Sequence, residues 1–361
     1  MSDPGGSSGV DPVDPPHSHI DPTRLGHWMD QRDLPGPGAP LEARFITGGA
    51  SNDLFEITRG GHRFALRRPP DPVPAGRNET MLREYRLLAA LADTDVPHAR
   101  LVAGCDDPGV LGGCFYLMEF VDGWSPIQEG TRWPEPFGSD LEARRGLAFQ
   151  LVYGIARLSR VDWEARGLEG FGRPDGFHER QVDRWLRHLE AAQFRPLPGI
   201  DEAADWLRSH RPRTYQPGIM HGDYQFANVM YRHGSPARLA AIVDWEMATV
   251  GDPLLDLGWV INGWPEDTSE AGEGTVSYVD YTGMPSRQEL LDCYHEASGR
   301  PVDEIDYYVI LARFKLAIVL EAGYARVVRG EADNPKMAMF GDVVLEMARK
   351  AAELSATTPL R

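Results

Sequence analysis

At 361 residues, 42% hydrophobic and 25% charged, the chain carries enough apolar material for two separate cores. Its formal net charge of −17 works against nucleic-acid binding, which needs a basic surface to displace counterions from phosphates. No run nears the ~20 apolar residues that cross a bilayer, no basic-then-apolar leader is visible, and Cys105, Cys114 and Cys293 are widely spaced with no CxxC pair. Reduced thiols in a cytoplasmic protein are expected, with no membrane or nucleic-acid partner; oligomeric state is not legible.

In chain order, residues 1–22 are rich in Pro, Gly, Ser and Asp and hold almost nothing to bury, which predicts a disordered tail. His17 and His19 fall there without further metal ligands. Residues 23–120 are expected to form a first lobe. Apolar stretches at 44–48, 53–58 and 63–68, separated by Gly48-Gly49 and Gly60-Gly61, read as hairpin strands. The spacing over 78–92 predicts a helix with Met81, Leu82, Tyr85, Leu88 and Ala89 on one face. Residues 114–120 (CFYLMEF) read as a buried strand running into a hinge at Val121-Asp122-Gly123.

From 121 to 361 the pattern turns largely helical. Helices are expected over 141–160, 178–193, 305–328 and near 337–354, with short strands at 218–220 and 239–243. The whole is an α+β layout: a small β-rich N-lobe, a hinge and a larger, mostly helical C-lobe.

Chemistry concentrates in two places. His221-Gly222-Asp223-Tyr224-Gln225-Phe226-Ala227-Asn228 follows one short apolar strand, and Asp244-Trp245-Glu246 follows another. Phosphoryl transfer needs a carboxylate that orients or deprotonates the attacking hydroxyl, a role that suits Asp223. It also needs hard oxygen donors for Mg²⁺ on the β- and γ-phosphates, and Asn228 and Asp244 supply an amide and a carboxylate. Glu246 could reach metal or substrate, or stand in solvent. His221 reads as a core histidine bonded to backbone rather than a reacting group. No GxxxxGK[ST] loop, G-x-S-x-G elbow or HExxH helix is present, which removes P-loop, serine-hydrolase and zincin readings.

The ordered set H-G-D-x4-N, V-D-W-E and Gly251-Asp252-Pro253-x-x-Asp256-Leu257 resembles the aminoglycoside phosphotransferase family of the bilobal protein-kinase-like fold. It is similar in particular to the branch of kinase-like domains fused to some acyl-CoA dehydrogenases. The resemblance covers about residues 41–350 and implies an ATP- and Mg²⁺-dependent kinase of small hydroxylated molecules. It also implies that Asp256 braces the catalytic loop. It implies that Gly48, Gly49, Ser51 and Asn52 belong to a short phosphate-covering loop, and that the Glu119 carbonyl and Val121 N–H pair with adenine. The family's third strand usually presents a phosphate-binding lysine. Here Arg67 stands in that slot, as expected for the dehydrogenase-associated branch, with Glu84 as its partner and Glu79 as the runner-up.

The acceptor side stays open between an aminoglycoside, a hydroxyacyl thioester and another alcohol. Residues 265–281 carry Glu266, Asp267, Glu270, Glu273 and Asp280 with no basic residue, which fits either an amine-binding wall or a solvated loop. Trp259 and Trp264 could line a pocket or belong to the core. The alternative to a kinase is a non-catalytic nucleotide-binding regulator in which Arg67 marks a degraded phosphate site. A protein kinase is disfavoured, because no A-P-E-like element separates Asp244 from Asp256.

Overall fold

The computed structural model describes residues 19–47, 52–130, 132–266, 268, 278–332 and 335–360. Backbone contacts divide the chain into two compact units. One runs to Ala89 and resumes over Ala99–Val121; the other takes Ala90–His98 and everything from Asp122 onward.

The first unit begins with helix α1 (Pro22–Asp30). Asp21 caps it by accepting from the N–H groups of Thr23 (2.9 Å) and Arg24 (3.0 Å), while Pro22 sits where no donor is needed. Ile20, Leu25, Trp28 and Met29 are buried. The expected tail boundary at residue 22 is therefore corrected: residues 20–22 belong to a capped helix start, because an Asp-Pro cap and a 3–4 apolar spacing outweigh polar composition. Among the described residues, β1 (Leu41–Thr47), β2 (Asp53–Arg59), β3 (His62–Arg68), β4 (Leu101–Cys105) and β5 (Phe115–Glu119) form an antiparallel sheet in the order β1-β2-β3-β5-β4.

Side chains alternate across a strand. Phe55, Ile57, Phe64, Leu66, Phe115 and Leu117 thus cluster with Trp28 and Met29 of α1. Arg67 and Tyr116, register partners across β3 and β5, project from the opposite face. There they meet α2 (Arg77–Leu91) through Glu84. Helix α3 (Pro108–Leu111) adds Leu111 to the core cluster. The expected face of α2 needs a correction. Met81, Glu84, Leu87, Leu88 and Leu91 turn inward, whereas Leu82 (41%) and Tyr85 (36%) are exposed. A buried carboxylate occupies the inward stripe, so apolar spacing alone set the helix phase wrongly.

The second unit carries α4 (Pro126–Glu129), α5 (Leu141–Arg160), α6 (Phe177–Ala192) and α7 (Ile200–Ser209), then two short ladders. In these, β6 (Gly218–Met220) pairs with β9 (Thr249–Gly251), and β7 (Val229–Tyr231) pairs with β8 (Leu239–Ile242), both antiparallel. The pairing is nested, so the segments 221–228 and 243–248 are forced side by side between the two ladders. Helices α8 (Leu254–Gly263), α9 (Arg287–Ser298), α10 (Ile305–Val328), α11 (Pro335–Ala338) and α12 (Gly341–Thr357) complete the unit. Helix α10 packs against α8, α12, α6 and α7, and α5 packs on α9. A helix apolar nearly all round, as α10 is, belongs in such a central position. No helix among the described residues is long and apolar enough to cross a membrane.

Candidate functional site

The nested ladders deliver the two polar segments to one place. The Val243 N–H donates to the Asn228 carbonyl (2.9 Å), and His221 bridges the segments from below. Its Nε2 lies 2.9 Å from the Val243 carbonyl and its Nδ1 accepts from the Asp223 N–H at 3.3 Å. A carbonyl can only accept and an amide N–H can only donate, so the tautomer is fixed with the proton on Nε2. Complete burial drives the imidazole pKa down to about 4, and the ring is neutral at physiological pH. It is a structural tie without a proton to trade.

Asp256, on α8, takes the other side of the turn. Its two oxygens accept from the His221 N–H (2.6 Å) and the Gly222 N–H (2.8 Å). Burial raises its carboxyl to about pKa 6 even though both amides favour the anion. Gly222 has φ of +85°, and a Cβ there would stand 2.5 Å from the Met247 carbonyl oxygen, so the turn admits only glycine.

On this turn Asp223 is half-buried. The Asn228 amide donates to its Oδ2 (3.0 Å) and to its backbone carbonyl (2.7 Å), and the Gln225 amide donates to its Oδ1 (3.0 Å). Burial pushes the Asp223 carboxyl up; the Lys315 cation and the two amides pull it back, while the Asp244 charge adds to the rise. Asp244 itself adopts φ +66° and ψ +65°, a left-handed conformation costly for a residue with a side chain and frequent at functional sites.

The donor chemistry fits a magnesium ion. Asn228 spends its NH₂ on Asp223, which turns its Oδ1, a hard oxygen, away from that carboxylate. Asp244 lies close enough for its charge to be felt at Asp223. Among the described residues no three His, Cys, Asp or Glu cluster for a metal.

The first unit holds the remaining candidates. Arg67 Nε stands 3.0 Å from Glu84 Oε2, with Glu84 almost wholly buried. Tyr116 OH donates to Glu84 at 2.8 Å and Asn52 Nδ2 reaches it at 3.3 Å. Glu84, not Glu79, is thus the carboxylate beside Arg67. Gly48, Gly49 and Ser51 lie outside the described residues. Glu119 ends β5 with its N–H donated to the Arg100 carbonyl (2.8 Å), and Val121 closes the unit.

Three participants escaped the sequence reading. Lys315 on α10 is buried and donates to the Gly222 carbonyl (2.7 Å). The signal was a cation set among Leu311, Phe314 and Ile318 on one buried face of an apolar helix. Gln225 touches Asp223, and the Tyr278 hydroxyl donates to Gln225 Oε1 (3.2 Å). Of the acidic stretch 265–281, Asp280 pairs with Arg144 and Glu266 with Arg287; Asp267, Glu270 and Glu273 lie outside the described residues. Trp264 belongs to the core, stacked on Phe226 with its N–H on the Pro285 carbonyl, whereas Trp259 lies beside Lys315.

Comparison with known proteins adds to this geometry. A family model described as "Phosphotransferase enzyme family" (APH) matches residues 42–290. Acyl-CoA dehydrogenase family member 11 of Gallus gallus is 30% identical over 95% of this chain and 45% of its own length. The chain therefore spans a little under half of that curated relative. A solved structure from Ralstonia eutropha, whose name likens it to the aminoglycoside phosphotransferases, is 30% identical with a TM-score of 0.79, covering 94% of this chain and 99% of that one. A choline kinase from Cryptosporidium parvum is 10% identical with a TM-score of 0.61, covering 92% and 96%; it shares the kinase-like fold.

Proposed function

Because the chain belongs to the phosphotransferase enzyme family, we propose that it is an ATP-dependent kinase that moves the γ-phosphate to a hydroxyl of a small molecule. Asp223 is the group that receives the acceptor hydroxyl. Its carboxylate oxygens each keep a lone pair beyond the amides of Asn228 and Gln225, so a hydroxyl can bond there and be aligned or deprotonated. Asn228 and Asp244 would hold Mg²⁺, which when bound neutralises charge on the phosphates. Arg67, steadied by Glu84, would contact phosphate oxygens as a bidentate cation. Asn52, with Gly48, Gly49 and Ser51 before it in the sequence, would cover the phosphates, and Glu119 and Val121 would meet adenine.

The observation that carries the reading is the cage around Asp223. Two side-chain amides hold its carboxylate, while Asp256 and His221 tie down the turn it stands on. Such preorganisation is what positioning catalysis requires. The acceptor remains a choice among an aminoglycoside, a hydroxyacyl thioester and another alcohol.

A library of hydroxylated metabolites, assayed by ATP consumption and phosphoester formation, tests the reading. The parent should phosphorylate at least one alcohol. Asp223→Ala should lose about 10²- to 10⁴-fold in turnover, with ATP affinity within about twofold. Parental turnover in that variant would remove Asp223 from the reaction. Nucleotide binding without transfer to any alcohol would favour the regulator alternative.

A further inference from the structure

The turn that carries Asp223 is gripped on both sides of one residue by opposite charges. Asp256 takes the His221 and Gly222 N–H groups; Lys315 takes the Gly222 carbonyl at 2.7 Å. Lys315 is 7% exposed. Its Nζ lies 4.6 Å from the Trp259 ring and 5.5 Å from the Trp185 ring, so aromatic faces occupy part of its remaining surroundings. The chain has three lysines, Lys315, Lys336 and Lys350, and relies otherwise on arginine. Burying a lone ammonium is costly, and an apolar side chain of similar length would pack as well in a helix as apolar as α10. The family match ends at residue 290, so Lys315 lies beyond the matched span.

We propose that Lys315 is a positioning residue of the phosphotransfer site: its ammonium locks the Gly222 carbonyl and, with Asp256 on the other side of the same turn, fixes the orientation from which Asp223 meets the acceptor hydroxyl. The role rests on the phosphotransfer reading above. Three features bear it out. The bond reaches the residue directly before Asp223, so releasing that carbonyl frees the peptide joining Gly222 to Asp223. Gly222 is in a left-handed conformation that only the surrounding bonds hold, since glycine has no side chain to restrict it. The charges facing the ammonium are Asp223 and Asp256, which favour it, and Arg184 of α6, which opposes it; burial is the largest influence and lowers its basicity. The cation is therefore retained by Asp223, which the turn carries, and by Asp256, which grips that turn from α8.

The test uses the full chain with Lys315→Met, which removes bond and charge at similar volume, and Lys315→Arg, which keeps the charge. Lys315→Met should lower kcat at least about tenfold while KM for ATP stays within about twofold, and Lys315→Arg should recover part of the loss. A methionine variant with parental kcat, or one whose KM for ATP rises in step with the loss, overturns the proposal. Hydrogen exchange of the 221–226 amides gives a second readout that needs no activity. These should exchange faster in Lys315→Met than in the parent, with the amides of β1 to β5 unchanged, and equal exchange overturns the proposal. If the parent transfers phosphate to no acceptor, the phosphotransfer reading fails on its own and exchange alone judges the clamp. Should the methionine variant not fold, Lys315→Gln takes its place in both assays.

Discussion

Two candidate groups are positioned in different ways. In the first unit Arg67 is held through its side chain by Glu84, which also receives Tyr116 and Asn52. In the second unit the Asp223 carboxylate takes two side-chain amides, and the turn beneath it is held as well, by Asp256, His221 and Lys315. A side chain paired with a buried carboxylate takes its direction largely from that ion pair. A turn fixed by several charged and neutral groups spreads the dependence, and leaves its carboxylate oxygens able to accept a ligand.

The sharpest way to break this contrast is Glu84→Ala. It removes the buried carboxylate that Arg67 and the Tyr116 hydroxyl share, and should destabilise the chain by about 3 kcal/mol. Thermal or urea unfolding reads it; a loss below about 1 kcal/mol would show that Arg67 has adequate alternative support. A smaller effect on the ligand side comes from Asp244→Ala. Calorimetry should find affinity for ATP with magnesium reduced at least tenfold, about 1.4 kcal/mol, with little change when magnesium is absent. Equal weakening in both conditions would take Asp244 out of the metal role.

The smallest net effect concerns pH, because two buried groups oppose each other. His221 titrates near 4 when folded against 6.5 when free, so below pH 6.5 the unfolded chain takes up a proton the folded chain refuses. Its contribution, on the order of 3 kcal/mol, is present above 6.5 and lost as pH falls towards 4. Asp256 is raised from 3.8 to about 6, so its contribution is present below 3.8 and is lost as pH rises through 6. The parent should therefore show a shallow stability profile between pH 4 and 6. Asp256→Asn removes one arm, and its melting temperature should fall with acidification more steeply than the parent's. Parallel profiles would contradict the assignment of the two groups.

Much of the fold could be read directly. The helix at 141–160 carries a long, regular apolar stripe, that at 305–328 is apolar nearly all round, and Gly60-Gly61 between two short apolar runs announced the β2–β3 hairpin. What escaped were elements whose signal is weak or mixed. Strand β4 is short and only half-buried, and α1 begins inside a stretch of tail-like composition. The phase of α2 was misread because Glu84, a buried charge, stands where apolar spacing demands a hydrophobic residue.

For the candidate site, local order alone nominated Asp223, Asn228 and Asp244, since each follows a short strand at a spacing that oxygen chemistry explains. That much is linear information: residue types and the distances between them along the chain. The tertiary structure decided how the turn is held. Lys315 stands 92 residues beyond Asp223, and Tyr278 reaches Gln225 across 53. Separation along a sequence carries no sign of such meetings, because only helix packing and nested strand pairing set which distant polar groups share a buried space, and burial is what makes their hydrogen bonds compulsory.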